Sequence, residues 1–377
     1  MPYTRRFLVP DFYQNFLCKC GNCRKICCHG WTITLSYFEY CQLLGLNCPA
    51  RLKRKIDLSL HTADEPSYER YAMFGRDVDG GCPLHDSDGR CGLQKHCGEE
   101  VLPSVCRYYP RSPRVFPFLS CALSNGCEGV LETMFAQKNP MQFVETELTF
   151  YMPEPKFFEN KFEELYKKTC AFCLKILQNR MISFSDRLIF LGHCCKELEK
   201  AFSSKNKDDI YACLHECEKI KIGSKYLSDF DAEFNFGFQI TEYFTKRSEN
   251  LAVYGTLALE NIKTRDQYAC AATRLEFVFD NYELLFEQMM VNHMFYTGFP
   301  FYDRNGNVYD SYISLCGAYL LLRFVLSGCV NSDSTTDYFV DVAAAIFRLI
   351  ENSNFCESVI KILKSSNFFP FSPGFAS

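Results

Sequence analysis

Between Cys20 and Trp31 the chain reads CGNCRKICCHGW, with four thiols inside nine residues. This run constrains folding more than any apolar pattern, because thiols beside Gly21, Asn22, Arg24 and Lys25 do not look like core. They suit a soft metal instead. A second cysteine-bearing block runs from Cys82 to Cys121. Read together, the two blocks are halves of one metal or iron–sulfur site whose candidate ligands are Cys20, Cys23, Cys27, Cys28, Cys82, Cys91, Cys106 and Cys121. Zinc and iron–sulfur clusters both take four sulfurs, so eight thiols exceed one set. If Cys23 to Cys28 is helical, Cys23 and Cys27 share a face and Cys28 points elsewhere, which separates the adjacent pair. His29, His85 and His96 lie close in sequence to these thiols and read as supporting or exposed groups rather than ligands.

Of the 23 cysteines, thirteen lie between Cys18 and Cys127, and the ten from Cys170 to Cys356 are scattered through apolar helical patterns. The later ten, with Cys41, Cys48, Cys97 and Cys127, read as reduced thiols packed as small hydrophobes. The first residues, MPYTRRFLVPDFYQNFL, contain no unbroken apolar run of signal-peptide length. The expectation is a cytoplasmic protein, where clustered thiols are metal ligands or redox groups more often than disulfides. A net charge of -4 and a pI near 6.0 provide no field for nucleic acid or anionic lipid. The apolar stretch Tyr319 to Val325 is interrupted by Arg323, so no membrane span is expected.

Ser36 with Glu39 forms a capping-box pattern and Gly45 a stop, predicting a helix over Tyr37 to Leu44. The basic run Arg51 to Lys55 reads as a solvated helix face. Asp86 to Gly89, DSDG, predicts a turn between Cys82 and Cys91, and Gln94 to Tyr109 a short helix broken at Pro103. So little periodic pattern suggests a region that depends on metal for its order. Beyond about Leu131 apolar residues recur at helical spacing over Lys161 to Gln178, Ser185 to Phe202, Asp208 to Ile222, Ala232 to Arg247, Asp266 to Met294, Tyr312 to Leu326 and Thr336 to Ile350. The expected fold is mainly α: an irregular cysteine-rich region, residues 1–130, packed on a multi-helix domain, residues 131–377.

The chain contains no GxG, so neither a Rossmann loop nor the usual methyltransferase glycine loop can be built. It also lacks CxxxCxxC, GxxxxGK[ST], GxSxG and HExxH. Cys213, His215 and Cys217, in CLHEC, resemble a metal pair but sit in an apolar helical pattern and read as core.

The order CxxCxxxCC with Gly30 and Trp31, then CPL at Cys82, DGRCGLQ at Asp88, LPSVCRYYPR at Leu102 and FLSC at Phe118, resembles the flagellin lysine N-methylases of bacteria. A looser similarity covers Asn281 to Gly328. The resemblance implies a cytoplasmic enzyme that methylates lysine ε-amines of flagellin from S-adenosylmethionine, holds an iron–sulfur cluster (4Fe–4S, with zinc as the alternative) and lacks the usual methyltransferase fold. It carries the eight thiols over as cluster candidates, although Ala122 stands where a proline commonly follows the last cysteine. Lysine methylation needs a neutral amine aligned with the donor methyl. Tyr108 and Tyr109 are candidates for removing the proton. Arg107 and Arg111 are candidates for holding the donor's carboxylate, or for offsetting thiolate charge. The cluster is expected to be structural or donor-positioning. Two rivals are a non-catalytic metal-cluster scaffold and a cluster-based redox or metal-carrier protein.

Overall fold

In the computed structural model, which describes residues 2–29, 32–78, 80–86, 88–152, 154–155, 161–220, 229–302, 307–365 and 371, the capping box is present as expected. Ser36 Oγ accepts from the Glu39 amide at 3.3 Å, and Glu39 Oε2 accepts from the Ser36 amide at 2.8 Å. The helix spans Tyr37–Leu44. In chain order the elements are β1 (Tyr3–Pro10), β2 (Thr34–Leu35), α1 (Tyr37–Leu44), α2 (Ala50–Ser59), β3 (Leu60–Thr62), β4 (Ala72–Phe74), α3 (Gly92–Cys97), α4 (Ser104–Tyr108), β5 (Arg111–Arg114), β6 (Ser120–Leu123), α5 (Glu128–Phe135) and β7 (Phe143–Phe150). The helices α6 (Glu163–Leu177), α7 (Phe184–Ser203), α8 (Lys207–Lys219), α9 (Phe230–Thr245), α10 (Glu249–Asn261), α11 (Arg265–Val278), α12 (Tyr282–Thr297), α13 (Val308–Cys329), α14 (Thr336–Glu351) and α15 (Phe355–Lys364) follow. The chain is mainly helical and not Rossmann-like. Gly30 and Trp31 of the first cysteine block, and Ser87 of the DSDG turn, lie outside the described residues.

The chain divides into two compact units, one made of Phe16–Arg111 with Cys127–Gly129 and the other of Met1–Asn15, Ser112–Gly126 and Val130–Ser377. Residues 1–15 and 112–126 group with the helices. Strand pairing explains why: β1 runs antiparallel to β7 from Tyr3↔Phe150 to Pro10↔Phe143, and parallel to β6 through Leu8↔Ser120. Tyr3, Phe7 and Val9, which share one face of β1, are buried, while Arg5 on that face is exposed.

The cysteine-rich unit has more apolar core than its irregular pattern suggested. It has its own apolar cluster of Ile33, Leu35, Leu43, Leu52, Ile56, Ala72, Phe74, Leu84 and Leu93, with Cys82, Cys91 and Cys106 at its margin. These residues come from short elements, including the three-stranded sheet β2-β4-β3, so no helical period betrays them.

In the helical unit the stretch Asp266 to Met294 is two helices, α11 and α12, separated at Phe279 to Asn281. α10 and α15 were not anticipated. α13 is long and apolar enough to cross a membrane, yet 94% of its most apolar window is buried inside the fold, the mark of a central core helix. Arg323 does not interrupt it. Its guanidinium hydrogen-bonds Glu276 and the Tyr319 hydroxyl, each at 3.1 Å, and lies 3.7 Å from Glu233, so the charge is compensated within the core.

Glu351, at the end of α14, accepts from Ser124 Oγ and from the Asn125 amide at 3.2 Å. Burial pushes its carboxyl up to about 8, against the hydrogen bonds from Ser124, Asn125 and Gly126. The folded protein thus holds a proton that the unfolded chain releases in the ordinary carboxylate range. The stabilisation is complete below that range and is lost as pH rises towards 8. Melting curves from about pH 5 to about pH 8.5 should show a falling Tm. Glu351→Gln should flatten the decline, and an unchanged slope would refute the assignment.

Candidate functional site

Residues 18–29 form no helix, and the segment is shaped instead by one carboxylate. Glu128 accepts from the amides of Arg24 and Lys25 at 3.1 and 3.0 Å and from Lys19 Nζ at 2.9 Å. Burial alone would raise its carboxyl, but these hydrogen bonds outweigh burial and hold it below the usual range. Gly21 (φ 93°) and Gly89 (φ 82°) take left-handed conformations, and a Cβ on Gly21 would collide with the Gly89 carbonyl. That close approach sets the first cysteine block against the DSDG turn.

The two blocks are then joined by backbone bonds. The Cys82 amide donates to the Cys28 carbonyl at 2.9 Å, and His29 bridges to Gly81. The Asp86 amide donates to the Arg90 carbonyl at 2.9 Å and the Gly92 amide to the Leu84 carbonyl at 2.8 Å, closing the turn that carries Cys82 and Cys91. Glu39 Oε1 accepts from the Ser104 amide at 2.6 Å, fixing the start of the short helix α4 that bears Cys106.

These bonds bring Cys27, Cys28, Cys82, Cys91 and Cys106 into one neighbourhood. Cys28 hydrogen-bonds Cys27 and interacts electrostatically with Cys106 and Cys82, and Cys106 does so with Cys82, Cys91 and Cys27. The Cys27 bond followed by burial raises the Cys28 thiol, while burial pushes Cys82 up to about 11. The separation of Cys27 from Cys28 expected of a helix is therefore incorrect, because the backbone here is a turn. Cys23 neighbours Cys27 and Cys18, and Cys20 is exposed with its amide 3.4 Å from Cys18 Sγ. Cys121 lies on β6 of the helical unit, buried, with Sγ 3.5 Å from the Tyr13 hydroxyl.

The other expected residues fall as follows. Arg107 and Tyr108 end α4, the guanidinium 5.8 Å from the Tyr108 ring centroid; Tyr109 follows, half-buried. Arg111 lies 5.3 Å from the Phe16 ring centroid. His29 and His96 are exposed, the latter 3.9 Å from Asp86, and His85 bridges Cys91 through its backbone. Cys217 is buried and Cys213 partly so, their free thiols hydrogen-bonded to each other, with His215 outside at 67% exposure. Cys41 and Cys270, read as core, are exposed.

Thiolate chemistry fits zinc or an iron–sulfur group, and five gathered thiols are enough donors for either. Among the described residues, however, no three His, Cys, Asp or Glu side chains are placed to hold a single ion. A tetrahedral zinc needs four sulfurs within roughly 4 Å of one another.

Sequence reasoning missed Glu128. The only available signal was the position of Glu128 directly after Cys127. It also missed a buried polar group in the helical unit. His293 on α12 is 4% exposed, Tyr296 follows one turn on and hydrogen-bonds Ser112, and Arg114 on β5 is an electrostatic neighbour of both. Burial, then Arg114, holds the His293 imidazole down at about 4, so it is neutral at physiological pH. A lone histidine inside the apolar run MMVNHMFY was the available sign.

Residues 171–372, more than half of the chain, match the family model described as FliB lysine N-methylase C-terminal domain. A curated protein from Salmonella choleraesuis (strain SC-B67) named Lysine-N-methylase is 28% identical over 107 residues, 28% of this chain and 26% of that protein. A Salmonella muenchen protein named Flagellar biosynthetic protein FliU is 26% identical over 108 residues, 28% of this chain and 63% of that protein. The chain thus matches about a quarter of one relative's length and less than two thirds of the other's. No solved structure matches.

Proposed function

Because the chain belongs to the FliB lysine N-methylase family, we propose that it is a cytoplasmic protein-lysine N-methyltransferase that moves methyl groups from S-adenosylmethionine to lysine side chains of flagellin. The observation that carries this reading is the family match across residues 171–372. The names of the two Salmonella relatives support flagellin as the substrate class.

The reaction requires the lysine ammonium to lose a proton. Its nitrogen lone pair then forms an N–C bond to the donor methyl as the C–S bond breaks, and the electron pair of that bond passes to sulfur. The chain's task is to orient the two groups and accept the proton. Tyr108 and Tyr109 are proposed for that proton on chemistry alone. Arg107, next to Cys106, and Arg111 are proposed to offset thiolate charge, since each guanidinium already lies over an aromatic ring.

Cys27, Cys28, Cys82, Cys91 and Cys106 are the proposed holders of an iron–sulfur cluster, with Cys20 and Cys23 as further candidates, whereas Cys121 belongs to the helical unit. Five thiols in one neighbourhood are donors enough for such a group, with zinc as the alternative. When bound, such a group supplies order and fixed local charge, and the proposed role is structural or donor-positioning.

The test is incubation of the purified protein, with its metal intact, with isotopically labelled methyl donor and flagellin, followed by peptide mass mapping. Methyl increments on lysine are expected. Intact metal without any increment would overturn the reading in favour of a non-catalytic scaffold.

A further inference from the structure

A cavity of about 270 Å³ opens in the helical unit between the last turn of α12, the first turns of α13 and the start of α15. His293, Phe299, Tyr302, Ser314, Cys356 and Glu357 are among its walls. None of the residues expected from the sequence lies there.

One nitrogen on the cavity wall and a second belonging to a neighbour of the wall residues have no hydrogen-bond partner among the described residues. His293 lines the cavity, is 4% exposed, and its buried Nδ1 has no hydrogen-bond partner among the described residues. Arg114 interacts electrostatically with His293, Tyr302 and Cys356, three of the lining residues, and its buried Nη1 is likewise unpartnered. Among the described residues no carboxylate is paired with it. Gly298, at φ 72°, ends α12 in a left-handed conformation, and a Cβ there would stand 3.3 Å from Arg114 Nη1. A buried guanidinium beside an unsatisfied imidazole is costly unless an acceptor arrives.

The lining also includes two carboxylates. Glu357 is exposed on α15, and Asp310 on α13 holds Lys364 at 2.6 Å. Lys364 neutralises Asp310 and leaves Glu357 as the uncompensated carboxylate of the lining, so a ligand carrying both an anion and a cation satisfies the two kinds of group together. The cavity is small for a ligand pocket, sized for part of a molecule rather than the whole.

We propose that this cavity binds the α-amino-acid end of the methyl donor, its carboxylate directed to His293 and Arg114 and its ammonium to Glu357. The assignment rests on the methyltransferase reading above, and its failure is separable from the failure of that reading.

Calorimetric titration of the full, metal-loaded chain with S-adenosylhomocysteine and with 5′-methylthioadenosine, which lacks the amino-acid end, tests the proposal. Arg114→Gln should weaken S-adenosylhomocysteine at least about tenfold, the worth of one charge-assisted hydrogen bond, and leave 5′-methylthioadenosine unchanged. Should the buried substitution unfold the protein, the exposed Glu357→Gln decides, with a several-fold weakening of S-adenosylhomocysteine alone. Unchanged affinity in the folded variants, with flagellin still methylated, overturns the cavity assignment and leaves the methyltransferase reading standing. A wild-type protein that binds neither compound and methylates nothing overturns both.

Discussion

Cys106→Ser is expected to strip the protein of most of its bound metal and to open residues 16–111 to proteolysis. Cys106 stands where α4 meets the backbone-joined pair of cysteine blocks, in electrostatic contact with Cys82, Cys91 and Cys27. A serine hydroxyl is a hard, neutral donor and cannot replace a thiolate. Substitution of outer-shell partners typically costs roughly 10–100-fold in metal affinity, and loss of a ligand should exceed that. Iron, sulfide and zinc analysis after anaerobic purification, with a visible spectrum, measures the effect, and Cys41→Ser, at an exposed thiol outside the group, is the control. Undiminished metal in Cys106→Ser would remove Cys106 from the site. A colourless wild type that holds zinc alone would refute the iron–sulfur assignment.

The unit's apolar cluster sets the limit of that effect. Ile33, Leu35, Leu52, Ile56, Phe74 and Leu93 are buried in a cluster of their own, so the variant should lose order around residues 18–29 and 82–91 before it loses α1 and α2. Complete loss of helical signal from this unit would show that the cluster depends on metal more than its burial suggests.

Glu287→Ala should be the most damaging single change in the helical unit. Glu287 on α12 is 2% exposed and accepts from Arg187 Nη1 at 2.8 Å and from Arg180 Nη2 at 2.8 Å and Nε at 3.1 Å. Arg187, on α7, is itself 2% exposed and also donates to the carbonyls of Leu177 and Ile182. Removing the carboxylate leaves a buried guanidinium without its closest counter-charge, with Glu283 at 3.6 Å the only remaining one among the described residues. Breaking a buried pair from one side typically costs about 3–5 kcal/mol. Arg180→Met should cost much less, because Arg180 is a third exposed and Arg187 keeps Glu287 neutralised. Denaturant midpoints of the two variants measure the difference, and equal losses would mean that the three residues do not act as described.

Much of the helical unit was legible because its helices carry apolar residues at regular spacing and bounded caps, as at Ser183 of α7 and Thr335 of α14, whose side chains accept from Asp186 and Tyr338 amides. Where the pattern misled, a specific interaction was responsible. α11 and α12 share one continuous apolar pattern that conceals the break at Asp280. Arg323 looked like an interruption of α13 because its counter-ions, Glu233 and Glu276, are 90 and 47 residues away along the chain. β1 and β7 were missed because their partners lie 133 to 147 residues apart, and alternation over eight residues is weak without them.

The sequence alone determined the thiol chemistry: which side chains can bind a soft metal, and that two separated blocks carry them. It also determined the capped helix α1, the turn between Cys82 and Cys91, and the absence of a glycine-loop methyltransferase fold. Only the tertiary structure decided that Cys27 and Cys28 share a neighbourhood with Cys82 and Cys106, that Glu128 shapes the loop around them, and that Arg114 and His293 share a buried field. Residue type and local spacing carry the first kind of information because ligand chemistry and capping are local. The second kind depends on contacts between residues more than a hundred positions apart, such as Glu128 with Arg24 and Arg114 with His293, and no local period records those.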